Sequence, residues 1–308
     1  MDTAVQTRPS PLKLFVERRF PLEMNVTLPE IRALYESGKA GRWNPLRDIS
    51  WDALGVDDYD PPVREAARRA WSRRVWVEAT GLTETPALLM RFCMEAHREI
   101  DPKFYLTVRN TEEAWHVECF DRLAEAFGGR IVRPGSKAYE AVFNQNLPRR
   151  VLNADQHLDA YVAVHAAFED GLELELYRAW RRAAKNPVIA SVLDHIISDK
   201  ERHAAFGWLY LGIRAPHWSE TERKLISEEL VRHVNEVELQ GYHCPWLAPE
   251  HAGAEAEAEA VLAANGLGAT GRSEEEDVIV SYVANARQKL AELGIKLPVF
   301  ETNRMRAF

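Results

Sequence analysis

The sequence predicts an all-α protein whose central helices enclose a core of acids and histidines. Three observations carry this reading. From Pro61 onward apolar residues recur at three- and four-residue spacing. Strand-like alternation is absent throughout, while Gly and Pro become sparse. Finally, the middle of the chain repeats one pattern twice: an acid, a tight turn, then a histidine.

The elements follow in order. Residues 1–60 contain Pro9, Pro11, Pro21, Pro29 and Pro45, with one short helical stretch near Leu28–Ser37. They are expected to form an N-terminal extension packed on the domain by Trp43 and Trp51. Helices are expected over 61–80, 84–99, 102–127, 154–184, 187–212, 219–240, 251–265 and 273–293. Pro61–Pro62 suits a helix start, and Asp101–Pro102 and Asn186–Pro187 read as tight turns with Pro opening the next helix. Gly128–Gly129 supplies a C-terminal stop. The Ala/Glu-rich stretch Ala252–Ala264 is read as an exposed helix, since both residues are strong helix formers. Residues 61–215 would form the bundle carrying the site, and 216–308 would add helices that complete the same domain.

Composition narrows the function. The 308 residues are 46% apolar and 28% charged, with a formal net charge of −8. Lys and Arg are spread along the chain, which argues against a nucleic-acid or anionic-membrane surface. No apolar run reaches the roughly 18 residues that span a bilayer, and Met1–Pro11 shows no secretory signal pattern. Cys93, Cys119 and Cys244 form no C-x-x-C pair, so they are expected to be buried, reduced thiols of a cytoplasmic protein.

The repeat carries the chemistry. Its first half is Glu84, Asp101-Pro102, then Glu113-Ala114-Trp115-His116; its second is Glu169, Asn186-Pro187, then Lys200-Glu201-Arg202-His203. In an antiparallel helix pair, residues equally distant from the turn lie side by side. Glu84 would thus be level with His116 and Glu169 with His203. Glu78 is the alternative to Glu84, but its midpoint with His116 falls short of Asp101–Pro102. Glu113 and His116, three apart, share a helix face, whereas Glu112 should point elsewhere. Two Glu-x-x-His turns and one Glu from each remaining helix would be a dinuclear ligand set, and carboxylates with imidazoles suit iron or manganese. His165 and Glu173 flank Glu169 by one turn each. They are read as supporting groups or replacement ligands.

The stretches Lys103-Phe104-Tyr105 and Glu112-Glu113-Ala114-Trp115-His116-Val117-Glu118 resemble the second helix of ferritin-like diiron oxygenases and ribonucleotide reductase small subunits. Ser198-Asp199-Lys200-Glu201-Arg202-His203-Ala204-Ala205-Phe206-Gly207 resembles their fourth helix, Phe168-Glu169 with Gly171-Leu172 their third, and Leu82–Leu88 their first. The likeness spans about residues 70–215 and implies a ferritin-like four-helix bundle with extra N- and C-terminal helices. It implies metal ligands Glu84, Glu113, His116, Glu169 and His203, with Asp199 and Arg202 orienting them.

The departure is Lys200, which stands where the family has its second bridging Glu. It could replace a cation by pairing with Glu113 and Glu169, bind metal when neutral, or act as a catalytic base. The resemblance then implies an oxygenase or oxidase with two iron ions, or one given Lys200, manganese being the alternative metal. O2 would be co-substrate for hydroxylation or N-oxidation of a small molecule. An external electron donor and a homodimer are compatible with it. The other readings are a metal-poor binding protein with a lysine-plugged core and a radical-generating subunit.

Overall fold

The computed structural model describes residues 26–95, 98–135, 137–143, 147–153 and 155–308; Pro9, Pro11 and Pro21 lie outside them. The described elements are helical, with no strand among the described residues. They are α1 (Pro29–Ala40), α2 (Pro61–Met94), α3 (Ile100–Ala126), α4 (Lys137–Val142), α5 (Leu147–Val151), α6 (Leu158–Tyr161), a π-helical stretch (Val162–Glu169), α7 (Asp170–Ala183), α8 (Pro187–Arg214), α9 (Glu220–Glu236), α10 (Pro249–Asn265) and α11 (Arg272–Glu292). The short helices α4 and α5 had no signal in the hydrophobic periodicity.

Four rods surround the centre: α2, α3, the run α6–π–α7, and α8. α2 lies along α3, and α8 packs on the π stretch and α7. α1 covers α3 and α8, α9 covers α6 and the π stretch, α10 lies on α2, and α11 on α7.

Two expected boundaries differ. The sequence suggested a break between residues 80 and 84, yet α2 runs through Gly81 and Pro86 as one helix. Gly81 provides room rather than a stop: a Cβ there would meet the Glu113 carboxyl at 3.0 Å. Asp101–Pro102 is no turn but the first turn of α3. Asp101 there accepts from Leu28 N at 2.5 Å and Arg32 Nε at 2.6 Å, which ties α1 to the bundle. The link between α2 and α3 therefore centres a few residues earlier than expected. At the other hairpin, Asn186 caps α8 as expected, accepting from Val188 N and Ile189 N at 3.0 and 3.2 Å.

α10 is not the exposed helix that its composition suggested. It buries Glu255, Ala258, Glu259 and Leu262 against α2. Its charge has a partner there, because the buried Arg74 donates to Glu259 at 2.7 Å. Among the cysteines, Cys119 and Cys244 are buried, whereas Cys93 is exposed; all three are free.

The buried face of α3 passes from Tyr105 and Leu106 through Arg109, Glu112, Glu113 and His116 to Phe120 and Leu123. α8 repeats the scheme with Ile196, Asp199, Lys200, His203 and Phe206. The middle turns of α3 and α8 are ionic, so packing these rods places their ionic turns at one depth. Gly207 permits the closest approach: a Cβ would fall 1.9 Å from the Ala166 carbonyl oxygen on the π stretch.

Candidate metal centre

The expected site residues are buried except Arg202, which is half-buried; Glu169 is the most accessible of the rest at 6%. Charges so placed need partners or a cation. His116 and His203 face each other, ring centroids 5.9 Å apart. His116 Nε2 lies 3.1 Å from Asp199 Oδ2, which also accepts from Trp43 Nε1 at 2.9 Å. His203 Nε2 lies 2.9 Å from Glu112 Oε2, and Arg202 bonds both Glu112 and Asp199. Asp199 thus sits behind His116 and Glu112 behind His203, with Arg202 joining the two acids. Glu112 points inward too, contrary to the expectation from its neighbour Glu113. Its signal was its place on the stripe 105, 109, 112, 116.

The acid level with His116 is Glu78, whose Oε2 is 3.5 Å from His116 Nδ1. Glu84 instead approaches His165, at 3.8 Å. The midpoint rule was sound, but its turn was misplaced: 78 and 116 average to 97, within the link between Met94 and Ile100.

The same correction applies to Lys200. It pairs not with Glu113 and Glu169 but with Glu173, at 2.5 Å, and Glu78, at 3.3 Å. The Tyr177 hydroxyl lies within hydrogen-bond distance of the same two carboxylates and donates its one proton to one of them at a time. Glu113 is held elsewhere, by Thr85 Oγ1 at 2.9 Å and Arg109 at 3.1 Å, and Arg109 also binds Asp170 at 2.9 Å. Glu201 faces outward to Arg178, at 2.6 Å, as its angle on the helix required.

Electrostatics follows this pairing. Burial opposes charge on Lys200, but the four nearby acids, led by Glu173 and Glu78, outweigh it and raise its pKa; it is an ammonium. Burial likewise opposes charge on His116, yet the bonds to Asp199 and Glu78 push it up to about 9. Burial lifts the Glu173 carboxyl to about 7 despite Lys200. His203 is held well below the ordinary imidazole range, by burial and then by Arg109 and Lys200.

A second cluster lies along the π stretch. His165 Nδ1 is 2.7 Å from Glu169 Oε2, and His233 Nε2, from α9, is 3.4 Å from the same oxygen. His233 Nε2 also meets Glu238 at 3.1 Å, and His243 Nδ1 holds Glu238 at 2.9 Å. Burial and repulsion from Glu169 raise the Glu84 pKa well above normal. Sequence reasoning missed His233, Glu238 and His243; their even five-residue spacing at the end of α9 was the available signal.

The donor chemistry fits a transition-metal ion. His116 Nδ1, His203 Nδ1 and Glu113 Oε2 are buried without hydrogen-bond partners. An imidazole held through one nitrogen by an acid, with the other free, is the arrangement of a metal-ligating histidine. The His116 end already contains the cations Lys200 and Arg109, which leaves less need for two further ions there.

No protein-family model and no curated protein matches the sequence. Solved structures do match. One is a variant of an R2-like ligand-binding oxidase with an aerobically reconstituted Mn/Fe cofactor, 18% identical, with a TM-score of 0.65 over 84% of this chain and 93% of that one. Another variant, carrying an Fe/Fe cofactor, is 19% identical, with a TM-score of 0.65 over 84% and 92%. A third, anaerobically reconstituted with Mn/Fe, covers 89% of this chain and 96% of that one at 18% identity and a TM-score of 0.60. The chain therefore has the ferritin-like, all-helical fold of the R2-like ligand-binding oxidases.

Proposed function

We propose that the protein is an iron-dependent oxidase or oxygenase, with manganese as the alternative ion, that uses O2 to oxidise a small molecule by hydroxylation or N-oxidation. The observation that carries this is the pair His116 and His203. They are buried 5.9 Å apart, each backed by an acid on Nε2; His203 Nδ1 is free, and His116 Nδ1 faces Glu78 at 3.5 Å. The matching structures are titled oxidases with Mn/Fe or Fe/Fe cofactors, which supports the same reading.

A bound redox-active ion would supply the electrons that O2 must accept. The chain supplies the rest. Glu78, Glu113, Glu169 and Glu173, with the buried imidazoles, are the available ligands. Lys200 occupies one cation position permanently, which favours one exchangeable ion over two. As an ammonium in a dry core it also stabilises anionic charge arising beside Glu173, or a carboxylate on the substrate. Tyr177 orients the two acids that hold Lys200. A cavity of about 560 Å³ lies along α2 between Val75, Trp76, Thr80, Thr83 and Phe143, within the size range of small-molecule pockets. Thr80 lines it and meets the Tyr242 hydroxyl, and on this reading the cavity receives the substrate. The reductant is external.

The test is metal analysis of protein purified from iron-supplemented cells, followed by O2 uptake after addition of reductant. At least one equivalent of iron or manganese and reductant-dependent O2 consumption are expected. Less than about half an equivalent, with no uptake, would transfer the protein to the metal-poor, lysine-plugged class that the Glu78–Lys200–Glu173 grouping also accommodates.

A further inference from the structure

The ionic core divides unevenly. On the α3–α8 side, Lys200 and Arg109 stand among Glu78, Glu113, Asp170 and Glu173. On the side of the π stretch and α9, Glu84, Glu169 and Glu238 gather with no Lys or Arg salt bridge to any of them among the described residues; their close ionic partners are His165, His233 and His243. Three buried carboxylates facing only imidazoles are short of positive charge.

Geometry concentrates this deficit at one point. Glu169 Oε2 sits between His165 Nδ1, at 2.7 Å, and His233 Nε2, at 3.4 Å. Ligand atoms of these three residues all lie within 4.8 Å of one another, and all three residues are buried. Glu84 Oε2 comes within 3.8 Å of the same His165 nitrogen. The two rings are edge-on, 86° apart, so they approach from different directions. Closing such a set to bonds of roughly 2.0–2.2 Å needs only small side-chain movements. Local backbone explains the placement: His165 and Glu169 belong to the π stretch, and π-helical insertions commonly aim side chains at functional sites.

We infer that His165, Glu169 and His233 form a seat for one divalent transition-metal ion, with Glu84 as a fourth ligand and Glu238, which meets the same His233 nitrogen, as a further carboxylate within reach of the ion. The ion takes the place of the imidazole protons that now bridge to Glu169 and neutralises the acid excess. Two imidazoles and a carboxylate select iron or a neighbouring first-row ion over calcium or magnesium. The seat lies beside His116 and His203 and shares Glu169 with the ligands available to the proposed oxidase. It draws one histidine from α9, outside the four rods, and rests on that reading for the ion's identity.

Chelator-stripped full-length protein titrated with Co2+ tests the assignment by visible absorption and by crystallography. One Co2+ per chain is expected at this seat, in addition to any held beside His116 and His203, with ligand-field bands and an anomalous peak within bonding distance of His165, Glu169 and His233 in the unmutated protein. His165→Ala and His233→Ala should each weaken Co2+ binding by more than about 100-fold, since loss of a mere supporting group already costs 10–100-fold. His116→Ala should retain the bands. A peak beside His116 and His203 alone, with all binding lost in His116→Ala, overturns the seat but leaves the oxidase reading standing. No uptake of Co2+, Mn2+ or Fe2+ at either place overturns both.

Discussion

Lys200 Nζ donates to Glu173 Oε2 at 2.5 Å inside the protein, a contact that joins the first turn of α7 to the middle of α8. Because the pair is buried, each partner depends on the other. Lys200→Met should destabilise the protein by roughly 3–5 kcal/mol, the range for breaking a buried ion pair, as read from urea unfolding in chelator. Lys200→Glu should be at least as unstable without metal. Excess Mn2+ should raise its Tm more than it raises that of the unmutated protein, since a third acid beside Glu78 and Glu173 demands a cation. Equal shifts would mean that the position does not face an ion site.

Two glycines of α8 should respond oppositely to alanine. At Gly207 a Cβ would overlap the Ala166 carbonyl, whereas at Gly212 nothing lies within 4 Å. Gly207→Ala should therefore cost about 1–3 kcal/mol or more by overpacking. Gly212→Ala should gain about 0.5–1 kcal/mol from helix propensity. Chemical denaturation of both variants measures the contrast.

Trp43 ties the N-terminal region to the core through its bond to Asp199, and its ring stacks on His195 at 4.6 Å. Trp43→Phe keeps most of the stacking but removes the donor. A loss of about 1–3 kcal/mol is expected, the cost of leaving a buried acceptor short of a partner. The measurement is again the urea midpoint.

Glu275 gives a pH signature away from the proposed ligands. Burial, then Glu259, push its carboxyl up to about 7, despite indole donors from Trp180 and Trp246. A folded-state pKa above the unfolded one favours the protonated form in the fold. The resulting stability is complete below about pH 4.5 and is lost as pH rises through about 7. Glu275→Gln should remove this slope, so its Tm relative to the unmutated protein should be higher at pH 8 than at pH 5. A pH-independent difference would exclude ionisation as the cause.

Helical periodicity and caps made the rods legible in the sequence, because Asn186 and Pro61 act locally. Depth along the rods was less legible. Choosing between Glu78 and Glu84 required knowing where α3 begins, and Asp101–Pro102 looked like a turn because its contacts to Leu28 and Arg32 are distant in sequence. His233 was invisible as a partner of Glu169 for the same reason, since α9 had no counterpart in the twofold pattern. The ionic character of Lys200 was evident; its partners were not, because they depend on the turn position and on the π stretch.

That π stretch has a consequence for chain length. Its eight residues, Val162–Glu169, are wound more loosely than an α-helix would wind them. The wider winding holds one residue more than α-helical pitch would over the same path, so deleting one residue there would let the segment rewind and keep Glu173 and Tyr177 on Lys200. The same deletion just after it, in the α-helical turn before Glu173, would rotate everything that follows by about 100° and swing both side chains away. The loose turn is thus where this rod tolerates a change in length.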